Sequence, residues 1–281
     1  MKKIGFIDYY LDEWHANNYP ALIKEISGGE LEVTCAYAVI DSPIGGMTTD
    51  QWCEKYRIPR CNSIEEVIAQ SDLLVVLSPD NCEKHEELCQ LPLRSGKPTY
   101  IDKTFAPTLA EAKQIFAMAE AGNTPCYSSS ALYYASEYDA PRQKPVSMID
   151  SWGPGEFQHY SIYQLEPIVS IIPDAPVRVM SVGTDAFPTI AVEFAGGQRA
   201  KVAVWRTNGS FSMNIGYQDG TGEHIDVISN FWEDCTRAMA DFFNNPQPPV
   251  PHENTLRIIS IIDAGKRAMH KPGEWVEIAE L

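Results

Sequence analysis

The sequence predicts an α/β protein of two domains: a doubly wound parallel sheet over residues 1–128, then an α+β domain with a mostly antiparallel sheet over residues 129–281. Two observations carry this. In the first half, short runs that are apolar on both faces alternate with amphipathic segments, as parallel strands covered by helices do. Beyond Arg178, β-prone runs follow one another across Gly and Asp turn signals, as in an antiparallel sheet. With 44% hydrophobic residues in 281, the chain can fill two cores.

Taken in order, Ile4-Gly5-Phe6-Ile7 reads as a buried strand, Glu13 to Ile26 as a helix stopped by Gly28-Gly29, and Leu31 to Val39 as the second strand. Ser63 followed by Glu66 starts a short helix, and Leu73 to Leu77 is a strand apolar on both faces. Asp80 with Glu83 opens a helix running to about Arg94. Thr99 to Asp102 is the next strand. Thr108 with Glu111 caps a helix from Leu109 to Ala121, whose stripe is Leu109, Ala112, Phe116 and Ala119. Thr124 to Ser128 is the fifth strand. Strands then follow at Arg178–Thr184, Thr189–Phe194, Arg199–Trp205 and Phe211–Tyr217, with Asn208-Gly209 as one of the turns. Two helices, Asp226–Asn244 and Glu253–Met269, end the pattern, the last of them expected to pack back on the first domain.

The formal charge of −16 argues against nucleic acid or an anionic membrane surface as a partner, since both select clustered Lys and Arg. No apolar run is long enough to span a bilayer, and the start of the chain lacks a signal-peptide core, so a cytoplasmic protein is expected. Seven cysteines without repeated spacing predict neither disulfides nor a zinc ribbon. Cys82, His85 and Cys89 share a helical face, yet no second cluster completes a ligand set and no metal is expected.

The chemistry points to Asp102-Lys103. This acid-lysine pair ends a strand, where open α/β sheets bind ligands. Gly96-Lys97-Pro98-Thr99-Tyr100-Ile101-Asp102-Lys103-Thr104 resembles the Gly-Lys-His-Val then Glu-Lys-Pro signature of the Gfo/Idh/MocA family, with Asp for Glu and Thr for Pro. Leu77-Ser78-Pro79-Asp80-Asn81 with His85 is similar to that family's strand-ending Thr-Pro stretch and helical histidine. His159 to Glu166 is similar to its Asp-x-Gly-x-His stretch. The resemblance spans nearly the whole chain. It implies a Rossmann-like first domain, NAD or NADP as cofactor, and a sugar, polyol or related hydroxylated substrate. It also implies a site with Lys103, Tyr163 and His159 as catalytic groups, Tyr133, Tyr134 and Glu166 facing substrate, and Asp8, Tyr9, Tyr10, Ser78, Pro79 and Asp102 lining the cofactor. A homodimer or homotetramer is expected.

One departure matters. The turn after the first strand reads Asp8-Tyr9-Tyr10-Leu11-Asp12-Glu13, without the glycines that let a diphosphate approach a helix N-terminus, and with three acids in their place. The second strand ends in Ala36-Tyr37-Ala38, with no acid for a ribose; Asp41 follows a few residues later. His15 is similar to a His found after this loop in a short branch of the family that has also lost the glycines. Three readings therefore stand: a nicotinamide-dependent oxidoreductase, a cofactor-free lyase, epimerase or isomerase using Lys103 and Tyr163 for proton transfer, and a noncatalytic ligand-binding protein on the same scaffold.

Overall fold

The computed structural model describes residues 1–205 and 209–281. The expected Asn208-Gly209 turn lies partly outside the described residues. In chain order the elements are β1 (Lys2–Asp8), α1 (Trp14–Ile26), β2 (Leu31–Ala38), α2 (Thr49–Tyr56), α3 (Ile64–Gln70), β3 (Leu73–Val76), α4 (His85–Cys89), β4 (Thr99–Ile101), α5 (Leu109–Ala121) and β5 (Cys126–Tyr127). There follow β6 (Val146–Pro154), α6 (Phe157–Ile171), β7 (Pro176–Ser181), β8 (Thr189–Phe194), β9 (Arg199–Trp205), β10 (Ser212–Tyr217), β11 (Gly222–Asp226), α7 (Phe231–Asn244), α8 (His252–Met269) and β12 (Trp275–Glu277).

Two compact units result. The first holds residues 1–106, 110–129 and 235–251, and the second residues 107–109, 130–234 and 252–281. In unit 1 a five-stranded parallel sheet has the order β2-β1-β3-β4-β5. The chain leaves β1 toward one edge and, from β3 on, toward the other. The switch point lies between β1 and β3, and the carboxyl ends there carry Asp8 and the Leu77-Ser78-Pro79 stretch. All of Leu73–Val76 is buried, as strands covered on both faces require. Gly5 is needed on β1 because a Cβ there would run into Val67 and Ser71 at α3.

The helix after β3 departs from expectation. Instead of one helix to Arg94, a 3-10 turn at Cys82–Lys84, the short α4 and another 3-10 turn at Pro92–Arg94 follow one another. Pro92 cannot supply an N–H to a continuing helix, which ends the run early. α2 was not anticipated, although Thr48 and Gln51 form a complete capping box at its start. One segment from late in the chain also groups with unit 1. It comprises residues 235–251, with Phe242 edge-on to Tyr127 at 4.7 Å and the Lys2 ammonium donating to the Phe243 carbonyl at 2.8 Å, whereas α8 belongs to unit 2. The apolar face of α7, Cys235, Met239, Phe242 and Phe243, is buried throughout, and that stripe decides where the segment goes.

Unit 2 is built on a seven-stranded sheet of order β11-β10-β6-β9-β8-β7-β12. Every pair is antiparallel except β6 with β9, which run parallel. α6 packs on α8 and on β6 and β9. Gly265 of α8 permits this approach, since a Cβ there would meet the Phe157 ring of α6 at 2.7 Å. The stretch His159 to Glu166 is thus helical, inside α6.

Candidate active site

The β4 tip of unit 1 holds the predicted lysine. Lys103 is only 4% exposed, and its ammonium reaches the Pro79 carbonyl at 3.4 Å, which joins the β4 tip to the β3 tip. His85 reinforces that junction. Its Nε2 lies 2.6 Å from the Leu77 carbonyl and its Nδ1 3.0 Å from the Phe105 carbonyl, so both ring nitrogens are engaged with backbone. Burial pushes its pKa below the usual imidazole value. Among the described residues no cluster of three His, Cys, Asp or Glu forms a metal-holding group, and all seven cysteines are buried. Ser78 adopts φ +88°, a conformation that strains a residue with a side chain, and its hydroxyl donates to the Asn81 carbonyl at 3.2 Å.

Asp102 is fully buried yet ionised. Burial alone would raise its pKa, but the His15 ion pair and the Lys103 charge hold it below the usual carboxylate value. Its Oδ1 also accepts the Lys103 N–H at 2.8 Å and the Tyr100 hydroxyl at 3.3 Å. The Asp102–His15 pair joins the tip of β4 to the start of α1, 87 positions apart in sequence.

At the β1–α1 corner, Glu13 is the N-cap of α1 and its carboxylate accepts the His15 and Ala16 N–H groups. Glu13 is 7% exposed; burial, opposed by His15 and reinforced by Asp102, pushes its pKa up to about 7. Asp8, 1% exposed at the end of β1, has a pKa raised well above normal by burial and by Glu13. Its Oδ1 accepts the Tyr9 N–H at 2.6 Å, while Oδ2 is buried with no hydrogen-bond partner among the described residues. Tyr10 is buried and its hydroxyl pKa is pushed up to about 12, first by burial and then by Asp80 and Asp8. Tyr9 lies under the Lys84 ammonium at 4.9 Å. Asp41 is spent on the Thr49 N–H at 2.8 Å, at the start of α2.

Of the expected cofactor residues of unit 1, Pro79 and Asp102 contact Lys103. The expected set does not fit the diphosphate of NAD or NADP at its usual seat, because that seat needs free N–H groups at the start of α1 and Glu13 already occupies them. Sequence reasoning saw Glu13 as a stray negative charge and missed its cap. Glu is not among the favoured N-caps, so no propensity signal marked it. Nor did any local signal mark the His15–Asp102 pairing.

In unit 2, Tyr163 and His159 lie one turn apart on α6. Tyr163 is 6% exposed, its ring packed against Phe211 at 5.5 Å and Tyr160 at 5.7 Å. Glu166 faces inward. Its Oε2 accepts both the N–H, at 2.6 Å, and the hydroxyl, at 2.5 Å, of Ser130, and burial pushes its pKa up to about 8. Ser130 leads into the turn Ala131–Tyr134, where Tyr133 and Tyr134 are half-buried and Arg142 stacks over Tyr133 at 4.9 Å.

Residues 31–128 match the model of the Gfo/Idh/MocA oxidoreductase family, NAD-binding Rossmann fold. The matched segment includes Asp102-Lys103 and begins beyond the β1–α1 corner. A 59-residue stretch is 34% identical to the uncharacterized oxidoreductase YhhX of Escherichia coli K12, covering 21% of this chain and 17% of that relative's length. Myo-inositol 2-dehydrogenase from Lactobacillus plantarum superposes with a TM-score of 0.81 at 13% identity over 99% of both chains. Scyllo-inositol dehydrogenase from Lactobacillus casei, solved with NAD(H) and scyllo-inositol, gives 0.79 at 13% identity, again over 99% of both. Structural likeness at that identity shows the shared fold, and within it residues 31–128, which include the strand-end lysine, match the Gfo/Idh/MocA oxidoreductase family model.

Proposed function

We propose that the protein is an oxidoreductase acting on a sugar, polyol or related hydroxylated compound, with Lys103 handling the hydroxyl proton. The carrying observation is the burial of Lys103 at the β4 tip, anchored by Asp102 and by the Pro79 carbonyl beside the switch point of the sheet. Oxidising a carbinol carbon requires that its hydroxyl proton be taken by a group within hydrogen-bond reach, about 2.6–3.2 Å. To take that proton the Lys103 ammonium must first release one to solvent, and Asp102 with His15 fixes the backbone that carries the resulting amine. Tyr163 and His159 are further acid-base candidates in unit 2, and Tyr133 and Tyr134 present aromatic surface of the kind that packs on sugar rings. The family model matched by residues 31–128 describes an NAD-binding fold, and with the α1 N-terminus taken by Glu13 such a hydride carrier would have to be held by other contacts.

A second reading is a cofactor-free lyase, epimerase or isomerase using the same lysine, and the occupation of the α1 N-terminus by Glu13 favours it. One assay separates the two. Purified protein is incubated with inositols, aldoses and sugar acids, with and without NAD or NADP, following dinucleotide absorbance and substrate loss separately. Turnover that needs a dinucleotide supports the oxidoreductase; substrate conversion without any dinucleotide supports the second reading. Lys103→Met should lower either activity by about 100-fold or more, the contribution of a positioned acid-base group, and unchanged turnover removes Lys103 from the site.

A further inference from the structure

Helix N-termini in Rossmann-type folds bind diphosphates because the first N–H groups have no partner within the helix and the helix dipole favours negative charge. In this chain a side chain has taken that place. Glu13 sits at φ −136° and ψ 170°, an extended N-cap conformation, and its two carboxylate oxygens accept from His15 N, at 2.7 Å, and from Ala16 N.

The loop that bears Glu13 is held in place from several sides. Tyr10 and Leu11, 6% and 1% exposed, point into the protein where a glycine loop would leave open space. Asp12 accepts the Met47 N–H at 2.7 Å and the Asn17 side-chain amide at 3.1 Å, and Asn17 in turn accepts the Trp52 indole N–H at 2.8 Å. The loop after β1 is thereby fastened to the segment after β2 and to α2. The backbone agrees: the N–H groups of Val39 and Ile40 donate to the carbonyls of Asp8 and Tyr9 at 3.2 and 3.0 Å.

Charge points the same way. Asp8, Glu13 and Asp102 are buried; beyond burial itself, Glu13 and Asp102 raise the pKa of Asp8 and Asp102 raises that of Glu13, with His15 paired to Asp102 and Lys103 beside it. Asp8 Oδ2 is buried with no hydrogen-bond partner among the described residues. A diphosphate placed here would add negative charge beside these carboxyl groups, with the first N–H groups of α1 already engaged by Glu13.

We infer that the Glu13 carboxyl group fills the diphosphate seat at the N-terminus of α1, so that no dinucleotide is held there by its diphosphate. This inference does not rest on the proposed reaction: a hydride carrier gripped by other contacts remains compatible with it. The chain retains the family's strand-end lysine and has replaced the neighbouring anion site with an internal carboxyl group.

The test uses the full chain and two probes that carry the diphosphate without the nicotinamide, ADP-ribose and inorganic diphosphate, titrated by calorimetry. Glu13→Ser removes the carboxyl group while leaving a side chain that still caps a helix. The expected result is no saturable binding to the wild-type protein at millimolar probe, and a gain of about tenfold or more in affinity for the serine variant. A serine variant that binds neither probe better than wild type overturns the inference, whatever the wild-type affinity. Thermal melts confirm that the variant is folded. Should it not fold, Glu13→Gln, which removes the charge and keeps an acceptor, carries the same comparison. Turnover of hydroxylated substrates is read separately, so failure of this inference and failure of the proposed function are distinguishable.

Discussion

Glu166 in unit 2 and Asp102 in unit 1 are both buried carboxyl groups with good hydrogen bonds, and they titrate in opposite directions. Glu166 accepts two bonds from Ser130 and still has its pKa pushed up to about 8, while Asp102, fully buried, is held below its usual value. The difference is the counter-charge. Asp102 has the His15 ion pair and the Lys103 ammonium against it, whereas Glu166 has neutral donors and a weak attraction from Arg142. Glu13 lies between the two, with helix N–H groups and His15 in its favour and Asp102 against it, and its pKa is pushed up to about 7. Neutral donors satisfy a buried carboxyl group; opposite charge is needed to keep it ionised.

The largest way to break this contrast is Asp102→Ala, which leaves His15 and Lys103 buried without their carboxylate. Breaking a buried pair in this way costs about 3–5 kcal/mol, to be read as a lowered urea midpoint for the protein. A loss under about 1 kcal/mol would show that solvent screens the pair as it does at a surface.

Next in size is the pH dependence. Glu166 binds its proton more tightly folded than unfolded, so its stabilising contribution is full below about 4.5 and is lost as pH rises toward about 8. Glu13 acts in the same sense up to about 7, and Asp102, whose pKa is lowered, acts in the opposite sense, losing its contribution as the medium turns acid. Melting temperature should therefore fall from mildly acidic to alkaline pH, and Glu166→Gln should flatten that decline. An unchanged profile in the variant would assign the slope elsewhere.

The smallest effect sharpens the contrast. Ser130→Ala removes one of the two neutral donors to Glu166 and should destabilise by about 1 kcal/mol, measured by chemical denaturation near pH 6, where the carboxyl group is mostly protonated. Its stability deficit should widen at alkaline pH, because the ionised carboxylate then lacks a donor.

Much of unit 1 was legible because its signals are local. The apolar run Leu73–Leu77, the helix Leu109–Ala121 and the strand-end Lys103 could each be read from a few neighbouring residues, and β8 and β9 were read to their ends. The missing glycines after β1 were equally visible, since a tight turn and a close approach demand particular residues. Less legible were α2, whose capping box stands between weak apolar positions, and the split of the 82–94 segment, where Pro92 overrides a helical start. His159 to Glu166 was read from its resemblance to a family stretch, and Ser161 to Glu166 became the buried body of α6 once packed on α8 and the sheet.

By itself, then, the sequence determined the alternation of strands and helices, the change to an antiparallel sheet, and the presence of a lysine at a strand tip without a glycine-rich loop to accompany it. These depend on periodicity and on turn chemistry, which act over a few residues. Only the tertiary structure decided that Glu13 caps α1, that His15 reaches Asp102, and that Glu166 turns to Ser130. Those choices depend on which charges and donors are buried together, a property of positions far apart in the chain that local patterning does not encode.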